Sequence, residues 1–164
     1  MMKIQPIFTS RHTNVALAIH IVWTTQSREP RLVEAIEDSV YACILAEVQK
    51  LKCQPLAIGG MPDHVHLIVL LHPTISLSKL IQQTKGSSSH LINHVLVPGD
   101  GFRWATTYAA FSMSRRHRDR AVVYVQNQKS HHANQTVHPH WEPALESAVA
   151  EGNEVHTGLE SEPR

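Results

Sequence analysis

The run Gly59-Gly60-Met61-Pro62-Asp63-His64-Val65-His66 passes straight into Leu67-Ile68-Val69-Leu70-Leu71. No other stretch restricts the fold as much. The glycines and the proline read as a turn. The apolar run after them reads as a strand buried on both faces, and so as a strand inside a sheet. Side chains two apart on a strand point to the same face. His64 and His66 therefore project together, with Val65 on the opposite side. Two imidazoles on one rigid surface are ready ligands for a metal ion. Two polar residues at a strand entrance, with no ligand role, would give the same pattern.

The rest of the chain supplies neighbours for that strand. Val15 to Thr25 is rich in β-branched residues and apolar on both faces, which predicts a second central strand. Arg28-Glu29-Pro30 ends it. From Arg31 to Leu51 the spacing of Leu32, Ala35, Ile36, Val40, Ile44, Leu45 and Val48 is helical. Gln54 to Ile58 is a short strand, and 64–71 is the third. Ser76 is suited to cap a helix carrying Leu77, Leu80, Ile81, Leu91 and Ile92. Gly86-Ser87-Ser88-Ser89 is the expected weak point of that helix. Val97 to Gly101 is a loop, Tyr108 to Met113 a fourth strand, and Ser114 opens a last helix reaching about His132.

This order predicts an α+β fold: a ferredoxin-like βαββαβ antiparallel sheet with an extra C-terminal helix. The first and third strands lie at its centre, which puts the histidine pair mid-sheet. Residues 1–13 read as a flexible leader and 14–142 as one domain. Residues 143–164, acidic and without aromatics, read as a disordered tail.

On the last helix Tyr124 and Gln128 are four apart and share a face, with His131 near it. Ala121, Val122 and Val125 offer only a modest apolar stripe. A surface tyrosine with packing duties would fit this pattern too. Taken with the histidine pair, the helix suggests other chemistry. The amide oxygen of Gln128 could be a third metal ligand. The Tyr124 hydroxyl, one turn away, could attack a phosphorus bound to the ion and form a phosphotyrosine link. An ordinary phenol, with a pKa of about 10, needs such help. By ligand chemistry alone the imidazoles favour zinc or manganese.

These motifs resemble those of the single-tyrosine HUH transposases of the insertion-sequence 200/605 type, including the REP-associated tyrosine transposases. The resemblance is carried by Met61-Pro62-Asp63-His64-Val65-His66-Leu67 and by Leu80 to Ser89 with its Lys85-Gly86-Ser87-Ser88. Tyr108-Ala109-Ala110-Phe111-Ser112-Met113-Ser114 and Tyr124-Val125-Gln126-Asn127-Gln128 with His131-His132 complete it. It runs in register from about Val15 to Glu142. Ala109 and Ala110 stand where many such proteins have glycine.

The resemblance implies a metal-dependent DNA transposase. His64 and His66 would bind the metal, usually magnesium or manganese, and Gln128 would complete the site. Tyr124 would cleave single-stranded DNA, leaving a 5′-phosphotyrosine and a free 3′-hydroxyl. It also implies DNA hairpins as the ligand and a homodimer, in which the tyrosine helix of one subunit can serve the histidine pair of the other.

Composition agrees with this reading without demanding it. Residues 145–164 hold five of the 14 acids and one of the 15 bases, which leaves residues 1–144 at +5. That balance permits nucleic-acid binding. Lys85, Arg103, Arg115, Arg116, Arg118, Arg120 and Lys129 are candidate phosphate contacts, and a solvated charged face is the competing reading of each. Trp104 and Tyr108 are expected in the core rather than under bases. Asp63 either orients a ligand histidine or only stabilises the turn, and His131 and His132 receive no catalytic role. No apolar run approaches the ~20 residues of a membrane helix. Two isolated cysteines and the lack of an apolar leader suggest a reduced, cytoplasmic protein. Two other functions compete: a domesticated hairpin-DNA binding protein without cleavage, and a metal hydrolase using the histidine pair with water. The second would need a carboxylate beside the pair, and the sequence places none there.

Overall fold

The computed structural model describes residues 8–10, 13–138 and 141–142. The expected tail lies outside them, as does most of the leader. Part of that leader is paired: β1 (Phe8–Ser10) and β2 (Thr13–Val15) form a small antiparallel ribbon. The main elements follow as β3 (Leu17–Thr24), α1 (Glu34–Lys50), β4 (Gln54–Met61), β5 (His64–Leu71) and α2 (Leu77–Leu91). β6 (Ala109–Met113), α3 (Arg115–Gln126) and α4 (Gln128–Ala133) complete the chain. The sheet order is β4-β5-β3-β6, and every neighbour is antiparallel. This is the expected α+β arrangement, with β5 inserted between the two strands that flank α1.

Strand alternation divides the sheet's work. Val65, Leu67, Val69 and Leu71 of β5, with Ile21 and Trp23 of β3, pack against α1 and α2 through Val40, Ile44, Val48, Leu80 and Ile81. The other face carries His20, His64, His66 and Ile68. Ile68 packs there with Ala57 of β4 and with Ala121, Tyr124 and Val125 of α3. β5 is buried along its whole length, so a one-residue register slip would exchange the histidines with the main core.

Three local expectations are corrected. Gly59-Gly60 is not a turn: β4 runs through to Met61, and Pro62-Asp63 alone joins it to β5. The glycines are needed for closeness. A Cβ on Gly59 would stand 2.1 Å from the Val125 carbonyl oxygen, and one on Gly60 2.2 Å from that of His64. The serine run does not break α2. Ser88 returns its hydroxyl to the Thr84 carbonyl at 2.6 Å and accepts from the Trp104 indole at 3.0 Å. The last helix, expected to be single, breaks at Asn127, where φ is −111° and ψ 25°. The Asn127 amide side chain donates to the Val123 carbonyl at 2.7 Å, competing with the helix for its backbone.

Ser76 caps α2 as expected, accepting from the Lys79 amide at 3.2 Å. Ser114 holds the cap position of α3 without a cap bond. Trp104 is in the core, edge-on to Trp23 and Phe102. Tyr108 is not: it precedes β6 and is exposed. Among the described residues no helix is long and apolar enough to cross a membrane.

Gly59→Ala should cost about 1–3 kcal/mol of stability by forcing α3 off β4. Gly86→Ala, whose Cβ meets nothing within 4 Å, should be neutral or stabilising. Urea unfolding of the two variants compares them directly, and similar midpoints would refute the close seat of α3.

Candidate metal and tyrosine site

His64 and His66 enter the sheet at 3% and 0% exposure, and each has one ring nitrogen already engaged. His64 Nδ1 lies 2.7 Å from Asp63 Oδ1. Asp63 is held in turn by Arg28, whose Nε and Nη2 donate to Oδ2 at 3.0 and 2.9 Å. The Thr25 amide donates to the Asp63 carbonyl at 2.9 Å. Arg28 reaches this position from a left-handed backbone, φ 54°, a conformation non-glycine residues rarely adopt. His66 Nδ1 lies 3.0 Å from His20 Nε2, a contact made possible because β3 and β5 pair with both rings on one face.

With each Nδ1 engaged, the Nε2 atoms of both histidines are left. Both are buried without a hydrogen-bond partner. For either Nε2 to take a metal it must be bare, which requires the proton of each ring on Nδ1. His64 then donates to Asp63 and His66 to His20. Burial favours the neutral forms required. It lowers the His20 pKa to about 4, against the opposing charge of Glu142. It lowers His64, against Asp63. It takes His66 well below the usual value, helped by the neighbouring histidines. For Asp63 burial pushes upward, but His64 and Arg28 outweigh it and the carboxylate stays below its ordinary range.

The third group is Glu142. Its Oε1 stands 3.9 Å from His66 Nε2. One donor atom each from His64, His66 and Glu142 lies within 4.8 Å of the others, close enough to hold an ion together. The same Oε1 accepts from the Tyr124 hydroxyl at 2.6 Å and lies 3.1 Å from His132 Nε2. Tyr124 is 5% exposed, with its ring edge-on to His66 at 6.3 Å and stacked on His131 at 4.6 Å. The His138 amide donates to the Tyr124 oxygen at 3.1 Å. Burial, then the bond to Glu142, raise the phenol's pKa, so it is held neutral.

Gln128 heads α4 at 2% exposure, and both polar atoms of its side chain are buried without a hydrogen-bond partner. The structure thus gathers Tyr124, His64 and His66 in one chain and buries Gln128 one turn beyond the tyrosine. Glu142, His20 and His132 were not assigned to the site from sequence. A carboxylate does stand beside the pair, contrary to expectation. His20 had a signal: it is the one ionisable side chain in the apolar run Val15–Trp23. Glu142 had none, since it follows a stretch without periodicity.

The candidate phosphate contacts divide. Lys85 donates to the carbonyls of Ala105 and Thr107 at 2.5 and 3.2 Å, and burial lowers its pKa to about 8. Lys129 is paired with Glu37, and Arg118 with Asp119 at 3.3 Å. Arg103, Arg115, Arg116 and Arg120 are exposed.

Residues 13–128 match the family model described as transposase IS200 like. The chain belongs to that family. It is 23% identical over 118 residues to the ISDra2 transposase TnpA of Deinococcus radiodurans, covering 68% of this chain and 84% of that one. A crystal structure assigned to a transposase of the same species superimposes with a TM-score of 0.59 at 24% identity, over 74% of this chain and 97% of the other. A REP-associated tyrosine transposase bound to a REP hairpin gives 0.57 at 13% identity, over 76% and 74%. At these identities the structural likeness speaks to the fold. The family makes the chain a transposase acting on DNA.

The buried imidazoles predict an acid-sensitive fold. The unfolded chain protonates its histidines near pH 6.5, whereas folded His20 resists until about 4. Between these values the unfolded state binds the extra proton, so stability falls as pH drops. His20 alone should account for about 2 kcal/mol of loss by pH 5. Urea unfolding of metal-free protein at pH 7 and pH 5 measures it, and equal stabilities would contradict the burial argument.

Proposed function

We propose that the protein cleaves and rejoins single-stranded DNA at hairpin-bearing ends, with Tyr124 as the nucleophile and a divalent cation, magnesium or manganese, as cofactor. One observation carries the reading: the Tyr124 hydroxyl rests on the carboxylate oxygen that faces the unpartnered Nε2 of His66. Nucleophile and candidate ligands belong to one chain, which supports assembly of the site within a subunit. His64, His66 and Glu142 would hold the ion, with Gln128 as a further oxygen donor. The fit rests on the buried Nε2 atoms of His64 and His66, which lack a hydrogen-bond partner. The added oxygens also bring the donor set closer to what magnesium and manganese accept.

The ion would neutralise phosphate oxygens and ease the approach of an anionic phosphodiester. The chain's own groups do the rest. The Tyr124 oxygen attacks phosphorus and gives its proton to Glu142, which already accepts that hydrogen bond. The bond from phosphorus to the 3′-oxygen breaks, and that oxygen takes a proton to leave as a 3′-hydroxyl. The 5′-phosphate stays on Tyr124, where a later 3′-hydroxyl can attack it and reverse the step. Exposed Arg115, Arg116 and Arg120 lie on the same helix as the nucleophile and suit phosphate contact. The solved REP-associated relative, bound to a REP hairpin, supports a hairpin ligand here.

The test uses end-labelled single strands from the DNA flanking the gene, incubated with manganese and resolved under denaturing conditions. Wild-type protein should give a covalent adduct. Tyr124→Phe should abolish it while hairpin binding persists, and His64→Ala or His66→Ala should reduce it by more than ~100-fold. An adduct at the normal rate in Tyr124→Phe would overturn the role of Tyr124. Tight binding with no nicking under any metal would favour the silent DNA-binding reading. Cleavage that survives loss of Tyr124 but not of His64 would favour the hydrolase, for which Glu142 supplies the carboxylate.

A further inference from the structure

Beside Tyr124 lies a cleft of about 910 Å³, bounded by α3, His131, residues 136–138 and Trp141. Its volume falls in the range of built ligand sites. Its wall is a chain of rings. His131 stacks on Tyr124 at 4.6 Å, Trp141 meets Tyr124 edge-on at 4.9 Å, and His138 stacks on Trp141 at 4.4 Å. The rim is cationic. Arg120 lines it, and Arg116 lies one turn back on the same face of α3, exposed. Asp119, the one acid on the lining, is paired with Arg118.

Aromatic walls under a basic rim are the arrangement that takes a nucleotide: the base stacks and the phosphate meets the guanidinium. The position narrows the choice further. A strand whose phosphate lies at the Tyr124 hydroxyl carries its neighbouring base one nucleotide away, and this cleft, lined by Tyr124, Arg120 and Trp141, adjoins that position. An apolar peptide would leave the arginines unanswered, and a bare anion would leave the rings unused.

We propose that the cleft is a nucleotide subsite. It receives the base next to the phosphate attacked by Tyr124, stacked against the partly exposed Trp141 with its own phosphate on Arg120. This rests on the DNA reading above and adds to it a base-binding site separate from the histidines. Stacking accepts any base, so the subsite secures the strand at the cleavage point and leaves choice of sequence to other contacts.

Trp23 and Trp104 are buried, at 0% and 8% exposure, whereas Trp141 is only partly covered. Quenching of tryptophan emission by DNA therefore reports on Trp141. The non-cleaving Tyr124→Phe protein is titrated with a dT12 oligomer and with a 12-unit abasic oligomer of equal charge. We expect dT12 to quench the emission and to bind ~10-fold more tightly than the abasic strand, the effect of one base–aromatic stack. Trp141→Ala should remove that advantage and leave abasic binding unchanged. Trp141→Phe, which keeps a ring and disturbs packing less, should retain most of it. Equal binding of the two oligomers, which needs no variant at Trp141, overturns the subsite and leaves the DNA reading standing. Failure of both oligomers and of the flanking single strands to bind overturns the DNA reading itself.

Discussion

The site depends first on the pairing of β3 with β5, and within it on the bond between His20 Nε2 and His66 Nδ1 at 3.0 Å. A neutral imidazole has one donor nitrogen and one acceptor, and burial makes an unsatisfied one costly. The sheet interior offers His66 one partner, on the adjacent strand. That partner decides which nitrogen of His66 remains for a ligand. Asp63 decides the same for His64 from the opposite side, through the hairpin and Arg28. Two unrelated contacts thus leave Nε2 of both rings without a hydrogen-bond partner. An outer partner of this kind fixes a ligand's tautomer and orientation, and losing one typically weakens metal binding by about 10–100-fold.

The second constraint is distance. A chemical site that spans a sheet and a helix needs the helix backbone nearer than side chains ordinarily allow. Gly59 supplies that approach, with the Val125 carbonyl occupying the space a Cβ would need. Val125 follows Tyr124, so the seat of α3 on β4 and the position of the phenol are one problem solved by one missing methyl group. The helix then ends early. Asn127 interrupts it, and Gln128 begins a new helix with its amide buried.

This division explains what could be read in advance. Apolar runs and helical spacing reveal strands and helices because they record burial, and β3, α1, β5 and α2 all lie where the pattern puts them, within a few residues. The shared strand face of His64 and His66 and the helical position of Tyr124 were legible because each sits on such an element at a telling spacing. Gly59 and Gly60 were misread because glycine signals a turn and a close approach equally well. Asn127 was misread because a local side-chain bond defeats an otherwise helical period. Glu142 was illegible for a deeper reason. It acts from an irregular segment whose position depends on Tyr124, His132 and His138, and no local spacing encodes that. The same segment builds the ring-lined cleft, so both features most particular to this chain come from its least patterned part.

Glu142 also bears on how the site can work. Its Oε1 already receives Tyr124 and faces His132, and a carboxylate oxygen offers about two lone pairs. An ion held by His64 and His66 would compete with these partners for Glu142. Displacing Tyr124 would free the phenol from the contact that, after burial, does most to keep it protonated. On the proposed reading, ligand binding and tyrosine activation would pass through one carboxylate. On that reading, a phenol restrained in this way would stay inert until the site fills, which would suit a reaction that breaks DNA.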